Sequence, residues 1–159
     1  MRDVRVMSGR KNIVVAVDFS RPSLEALDHA IALAAELKAA VFAVHALDVP
    51  LYAYPDVAIW RVADVDKPFR EAADKAMADA LEPRRGRGVP IETIIRKGPA
   101  WEVINAVAEE LGAAYVVVGT RGRRGLPRAL LGSVAERVVR TSKLPVIVLY
   151  DETRVTATA

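Results

Sequence analysis

The sequence contains no cysteine among its 159 residues. This absence excludes a disulfide scaffold, metal centres held by cysteine and thiol catalysis. Aromatic residues make up only 6% of the chain, and 23 basic residues nearly balance 20 acidic ones. The resulting net charge of +3 disfavours a dedicated nucleic-acid binder, since such proteins usually concentrate positive charge on one face.

Apolar runs long enough to cross a bilayer are missing as well. The longest apolar region, residues 31–47, is interrupted by Glu36 and Lys38, whereas a membrane-spanning helix needs about 20 mostly apolar residues. The first eleven residues are rich in charged side chains and hold no apolar run, so we expect no signal peptide. The sequence therefore predicts a soluble, cytoplasmic protein without membrane contact.

The remaining pattern is that of an α/β protein. Short apolar segments rich in β-branched residues alternate with segments of helical periodicity. We predict strands over residues 12–17, 40–47, 89–95, 114–118 and 144–149, and helices over residues 24–37, 69–81, 98–111 and 133–140. This order predicts one domain over residues 11–150, between an N-terminal tail (1–10) and a C-terminal tail (151–159). Its fold class would be an open, mostly parallel five-stranded sheet with helices on both faces.

Residues 48–67 show no clear period and hold Tyr52, Tyr54 and Trp60. We interpret them as a long loop, which in a compact domain is often a lid or a contact surface. Ordinary surface packing of the three aromatic side chains is an equally good interpretation.

Two further groups have structural interpretations. His29 and His45 stand apart from any carboxylate cluster, so we expect structural roles and no metal site. Arg84, Arg85 and Arg87 form a small basic cluster, which we interpret as a solvated turn.

Two segments are candidates for a ligand site. In an open α/β sheet, ligands bind beyond the carboxyl ends of the strands, where the strand order reverses. Asp18 directly follows the first strand, and a loop rich in glycine and arginine follows the fourth strand. Gly132 and Ser133 then open a helix, whose N-terminus would suit a phosphate. The alternatives are a helix-capping role for Asp18 and a solvated connector for the loop.

The spacing Gly119-x2-Gly122-x9-Gly132-Ser133 matches G-x2-G-x9-G-S/T, the nucleotide-binding signature of the universal stress protein family. The sequence also resembles that family over residues 13–20, 132–136 and 145–148. Roughly residues 11–150 are covered by the resemblance.

This resemblance implies a Rossmann-like fold of the adenine nucleotide alpha hydrolase-like type, with strand order 3-2-1-4-5. It also implies ATP, with or without Mg²⁺, between the first and fourth strand ends. Carried over by position, the residues on the adenosine side are Ala16, Val17, Asp18 and Ala46. Those near the ribose and the phosphates are Val118, Gly119, Arg121, Gly122, Gly132, Ser133 and Val134.

The function predicted is that of an ATP-dependent regulatory switch in stress response, with slow or no hydrolysis. The sequence has neither the P-loop pattern G-x-x-x-x-G-K-S/T nor the dinucleotide pattern G-x-G-x-x-G. No candidate base or second acidic metal ligand is visible near the loop, so we predict no catalytic residue. Two alternatives stay open: a slow ATPase on the same fold, and a protein-interaction module with a vestigial nucleotide site.

The fifth strand would lie at an edge of a sheet with the implied order. Residues 145–149 are apolar and carry no charge, and such edges invite strand pairing. The resemblance implies a homodimer formed through this strand, which includes Val146 and Val148. A separate protein partner is expected, but the sequence does not identify it.

Overall fold

The computed structural model of the protein describes residues 11–47, 62–120 and 131–150, and of residues 62–66 only the backbone. None of the described helices is both long and apolar enough to span a membrane. The elements follow the chain as β1 (Asn12–Ala16), α1 (Arg21–Leu37), β2 (Ala40–Leu47), α2 (Val62–Leu81), a 3₁₀ turn (Glu82–Arg84), β3 (Ile91–Lys97), α3 (Ala100–Glu110), β4 (Tyr115–Gly119), α4 (Ser133–Thr141) and β5 (Val146–Leu149).

The strands form one five-stranded sheet of order β3-β2-β1-β4-β5, in which every neighbouring pair is parallel. Ile13 of β1 lies opposite Val41 of β2 on one side and Tyr115 of β4 on the other. The chain moves outward from β1 through β2 to β3, and then returns to the other side of β1 with β4. This arrangement confirms the predicted fold class and strand order, and it puts the reversal of strand order between β1 and β4.

Helices cover both faces of the sheet because its strands are apolar on both faces. Ile13 and Val15 pack in a cluster with Leu27 of α1, whereas Val14 packs on the opposite face with Val107 of α3 and Val138 of α4. Successive residues of a strand point to opposite faces. Strands buried on both faces read as continuous apolar runs, which explains why the sequence pattern identifies them.

Helix α2 begins at Val62, so the prediction of a helix that starts near Phe69 after a loop reaching Lys67 is wrong. Apolar periodicity depends on burial, and residues 67–72 are all exposed. Within residues 67–81 the first buried side chain is Ala73. Phe69 itself is 43% exposed and does not belong to the buried face. Residues 48–61, which include the three aromatic side chains, lie outside the described residues.

Arg84 is also placed differently from the prediction of a solvated turn. Its Nε and Nη2 donate to the two carboxylate oxygens of Asp28 at 2.9 and 2.6 Å, and its Nη1 donates to the carbonyl of Ala80 at 2.6 Å. Only 13% of the side chain is exposed. The guanidinium therefore ties the end of α2 to α1. Arg85, in contrast, is exposed and pairs with Glu82, as expected of a solvated turn.

Replacing Arg84 by alanine should lower the free energy of unfolding by about 1–2 kcal/mol, because charged hydrogen bonds are lost. Partial exposure of Asp28 allows water to replace some of them. Thermal unfolding followed by circular dichroism would measure the loss. The matched control is Arg85→Ala, for which we expect a change within about 0.5 kcal/mol. Equal stability of the two variants would contradict the proposed tie between α1 and α2.

Candidate functional site

The carboxyl ends of β1, β2 and β4 lie side by side at one end of the sheet. We call this end the carboxyl edge, to distinguish it from the edge strands β3 and β5. Ala16 lies opposite Val44 in the register of β1 and β2, and the N–H of Val17 donates to the carbonyl of Val44 at 2.8 Å. Ala16, Ala46 and Val118, each from a different strand, all pack against the core on the α3 and α4 face. Three of the predicted site residues therefore share one edge and one face.

Asp18 lies in the turn between β1 and α1 and is half-buried. One carboxylate oxygen accepts hydrogen bonds from the backbone N–H of Ser20, at 3.0 Å, and from the Ser20 hydroxyl. The backbone N–H of Asp18 donates to the hydroxyl of Ser23 at 3.3 Å. Ser20, not Asp18, is the N-cap residue of α1. The carboxylate therefore holds the turn that starts the helix without occupying the cap position itself.

Helix α4 starts beside the end of β4. The N–H of Gly132 donates to the carbonyl of Thr120 at 2.7 Å, and the N–H of Thr120 donates to the carbonyl of Leu149 at 2.9 Å. Thr120, at the end of β4, and Gly132, before α4, are therefore in direct contact. Ser133 and Val134 form the exposed start of α4, where N–H groups lack partners within the helix and the helix dipole favours an anion. Arg121 and Gly122, also predicted site residues, lie outside the described residues.

Gly119 ends β4 directly beneath the first turn of α1. A Cβ atom added at Gly119 would lie 2.8 Å from the carbonyl oxygen of Pro22, which is closer than side-chain atoms normally approach. The close contact between β4 and α1 therefore requires glycine at this position, whether or not a ligand is present. No pattern in the sequence indicates this contact with Pro22.

A second residue missed as part of this edge is His45. Its Nδ1 lies 2.7 Å from the carbonyl oxygen of Val17, and its ring centroid lies 4.6 Å from that of Phe19. The only available signal was its position near the end of the second predicted strand. His29 is exposed on α1, and no group of residues in the described ranges has the composition of a metal site.

An ion pair occupies the neighbouring position on β3. Arg96 lies opposite Ala46 in the sheet register and donates from both terminal nitrogens to the two carboxylate oxygens of Glu110, at 2.7 and 2.6 Å. These hydrogen bonds hold the pKa of Glu110 below its usual value and raise the pKa of Arg96. A ligand that used this guanidinium would have to compete with an existing bidentate pair.

The fold and this edge define an open parallel α/β protein with its candidate crevice at the junction of β1 and β4. Residues 9–149 match the model of the universal stress protein family, and the chain belongs to that family. It is 38% identical over 141 residues to the universal stress protein MJ0531 of Methanocaldococcus jannaschii, an overlap of 87% of this chain and 81% of that protein. The family resemblance found in the sequence is thus confirmed.

Two solved structures are similar to this fold. Protein MJ0577, also of Methanocaldococcus jannaschii, superposes with a TM-score of 0.75 at 27% identity, over 90% of this chain and 97% of its own. A universal stress protein solved in complex with cAMP superposes with a TM-score of 0.57 at 29% identity, over 89% of this chain and 97% of its own.

Replacing Gly119 by alanine should destabilise the protein by about 1–3 kcal/mol, because the new Cβ must displace the backbone of Pro22. In proton–nitrogen correlation spectra, the amide signals of residues 18–23 should shift most. Gly112→Ala is the control, since a Cβ there meets no atom within 4 Å and strains only a left-handed backbone at φ +54°. Unshifted signals for residues 18–23 in the Gly119 variant would contradict the contact.

Proposed function

We propose that this protein binds an adenine nucleotide, ATP with or without Mg²⁺, across the carboxyl ends of β1 and β4. One observation carries this proposal. Asp18 follows β1, the N-terminus of α4 lies beside the end of β4, and β1 and β4 are neighbouring strands of the sheet. A carboxylate accepts hydrogens from ribose hydroxyl or adenine amino groups. The start of a helix is suited to phosphate.

The apolar side of the edge supports the same ligand class. Ala16 and Ala46 are small and only half-buried, and beside the buried Val118 they leave a small apolar surface against which a flat base can lie. The G-x2-G-x9-G-S/T pattern assigns Arg121 and Gly122 to the ribose and the phosphates, together with Gly119, Gly132 and Ser133. A relative of this chain was solved with cAMP, an adenine nucleotide.

In this proposal the nucleotide acts as a regulatory switch in stress response, with slow or no hydrolysis and no catalytic residue. A ligand shifts the balance between two conformations only by binding one of them more tightly. Phosphates at the start of α4 would lie beside Gly132, which is hydrogen-bonded to Thr120, and Thr120 is hydrogen-bonded to Leu149 of β5. Nucleotide binding would therefore reach the edge strand through two successive backbone hydrogen bonds.

Calorimetric titration of the purified protein with ATP and magnesium tests the binding, after any co-purified nucleotide has been released and identified by mass. Replacing Asp18 by asparagine should weaken ATP binding about 10- to 100-fold, because hydrogen bonds to a charged group are each worth about 1.5–3 kcal/mol. Asparagine keeps one acceptor oxygen for Ser20, so the turn before α1 should persist.

Asp79→Asn provides the matched control, since it makes the same chemical change on an exposed part of α2 where Asp79 pairs with Lys75. Its affinity for ATP should equal that of the unaltered protein. Absence of both co-purified nucleotide and heat at millimolar ATP would refute the proposed function and favour an interaction module. Rapid multiple turnover of ATP would instead favour an enzyme.

We further propose a homodimer that pairs through β5. Val116 and Thr120 donate their N–H groups to the carbonyls of Pro145 and Leu149, so the backbone groups of Val146 and Val148 point toward the outer edge. Within the described residues, no strand lies on that side of β5. The opposite edge strand, β3, carries charged residues that protect it from pairing: Glu92, Arg96 and Lys97.

Replacing Val148 by lysine should convert the dimer to a monomer, because a charged side chain disfavours pairing at a strand edge. Sedimentation equilibrium would then give half the mass of the unaltered protein. Thr93→Lys, on the exposed part of β3, should leave the mass unchanged, and circular dichroism of both variants checks folding. A monomeric unaltered protein, or a folded Val148 variant that remains dimeric, would contradict pairing through β5.

A further inference from the structure

His45 makes a hydrogen bond that determines which ring nitrogen carries a proton. A carbonyl oxygen can only accept, so the 2.7 Å contact requires that Nδ1 of His45 donates to the carbonyl of Val17. When the imidazole is neutral, Nε2 is then unprotonated. The same residue, Val17, donates its N–H to the carbonyl of Val44 at 2.8 Å. Both backbone groups of Val17 are therefore held by β2.

Phe19 continues this arrangement into the turn before α1. Its backbone lies in the left-handed region at φ +64°, which is unfavourable for a bulky residue. Its ring lies against His45, with a centroid distance of 4.6 Å and a tilt of 38° between the ring planes. Such a backbone conformation persists only where its surroundings hold it. The His45 ring is one of the groups that do so.

His45 and the proposed ligand lie on opposite faces of the sheet. Side chains alternate along a strand, and Ala46 packs with the core on the α3 and α4 face. Val17 and Phe19 pack with the core on the α1 face, where His45 contacts them. Asp18 lies between Val17 and Phe19 in the chain, so the direction of its side chain depends on the contacts that these two residues make on the α1 face.

We infer that His45 is a positioning residue for the nucleotide site: it holds Val17 and Phe19 so that Asp18 is presented at the carboxyl edge before the ligand arrives. This inference depends on the proposed nucleotide site. A binding segment that is already ordered loses less conformational entropy when its ligand binds. Removing the contacts of His45 should therefore lower the nucleotide affinity, although the His45 side chain lies on the α1 face, opposite the proposed ligand.

Two substitutions separate the hydrogen bond from the ring contact. In His45→Phe the ring remains but no donor reaches the carbonyl of Val17, and in His45→Asn a side-chain donor remains but the ring is lost. We expect His45→Phe to weaken ATP binding about 10-fold, the equivalent of one hydrogen bond. His45→Asn should retain more affinity than His45→Phe. Calorimetric titration well below the melting temperature of each variant measures these affinities.

His29→Phe is the matched control, because His29 is the other histidine of the chain and is exposed on α1. It should bind ATP like the unaltered protein. Nitrogen NMR of the His45 side chain in the unaltered protein should show a protonated Nδ1 at neutral pH. An unprotonated Nδ1, or unchanged ATP affinity in the His45→Phe variant, would overturn the inference. Failure of the unaltered protein to bind ATP would instead refute the proposed function, and the NMR result would still test the hydrogen bond.

Discussion

The parallel pairing of β1 between β2 and β4 is the constraint on which the rest of the structure depends. Ile13, Val14 and Val15 of this strand have no exposed surface, because helices cover both faces and strands cover both edges. A polar side chain buried there would need a hydrogen-bond partner. The Nδ2 of Asn12, at the amino end, donates to the carbonyl of Leu111, whereas its buried Oδ1 has no partner among the described residues. Polar side chains near β1 are therefore confined to its two ends.

At the carboxyl end, separate elements are held together by short backbone contacts. The start of α1 lies against Gly119, the start of α4 is hydrogen-bonded to Thr120, and β2 holds Val17 through a carbonyl and through His45. Each contact joins segments that are distant in the chain. These contacts connect α1, β2, β4 and α4 at the carboxyl ends of the strands. This arrangement is suited to the proposed site, where nucleotide binding would affect the edge strand β5.

Much of the fold could be predicted from the sequence because its signals are local. Strands buried on both faces produce apolar runs, and Pro22 marks the start of α1. The start of α2 could not be found in this way, since residues 67–72 of this helix are exposed and leave no apolar period. Arg84 was misread for a related reason: its partner Asp28 lies on another helix, and nothing in the neighbouring sequence indicates an ion pair.

The sequence by itself determined the alternation of strands and helices, the apolar character of the strands and the presence of glycine at 119 and 132. These properties are decided by residue type and spacing along a few neighbouring positions. Only the tertiary structure decided that Gly119 must accommodate Pro22 and that His45 binds the carbonyl of Val17. Such contacts depend on how parallel strands bring distant segments to one edge, and this juxtaposition has no local signature in the sequence.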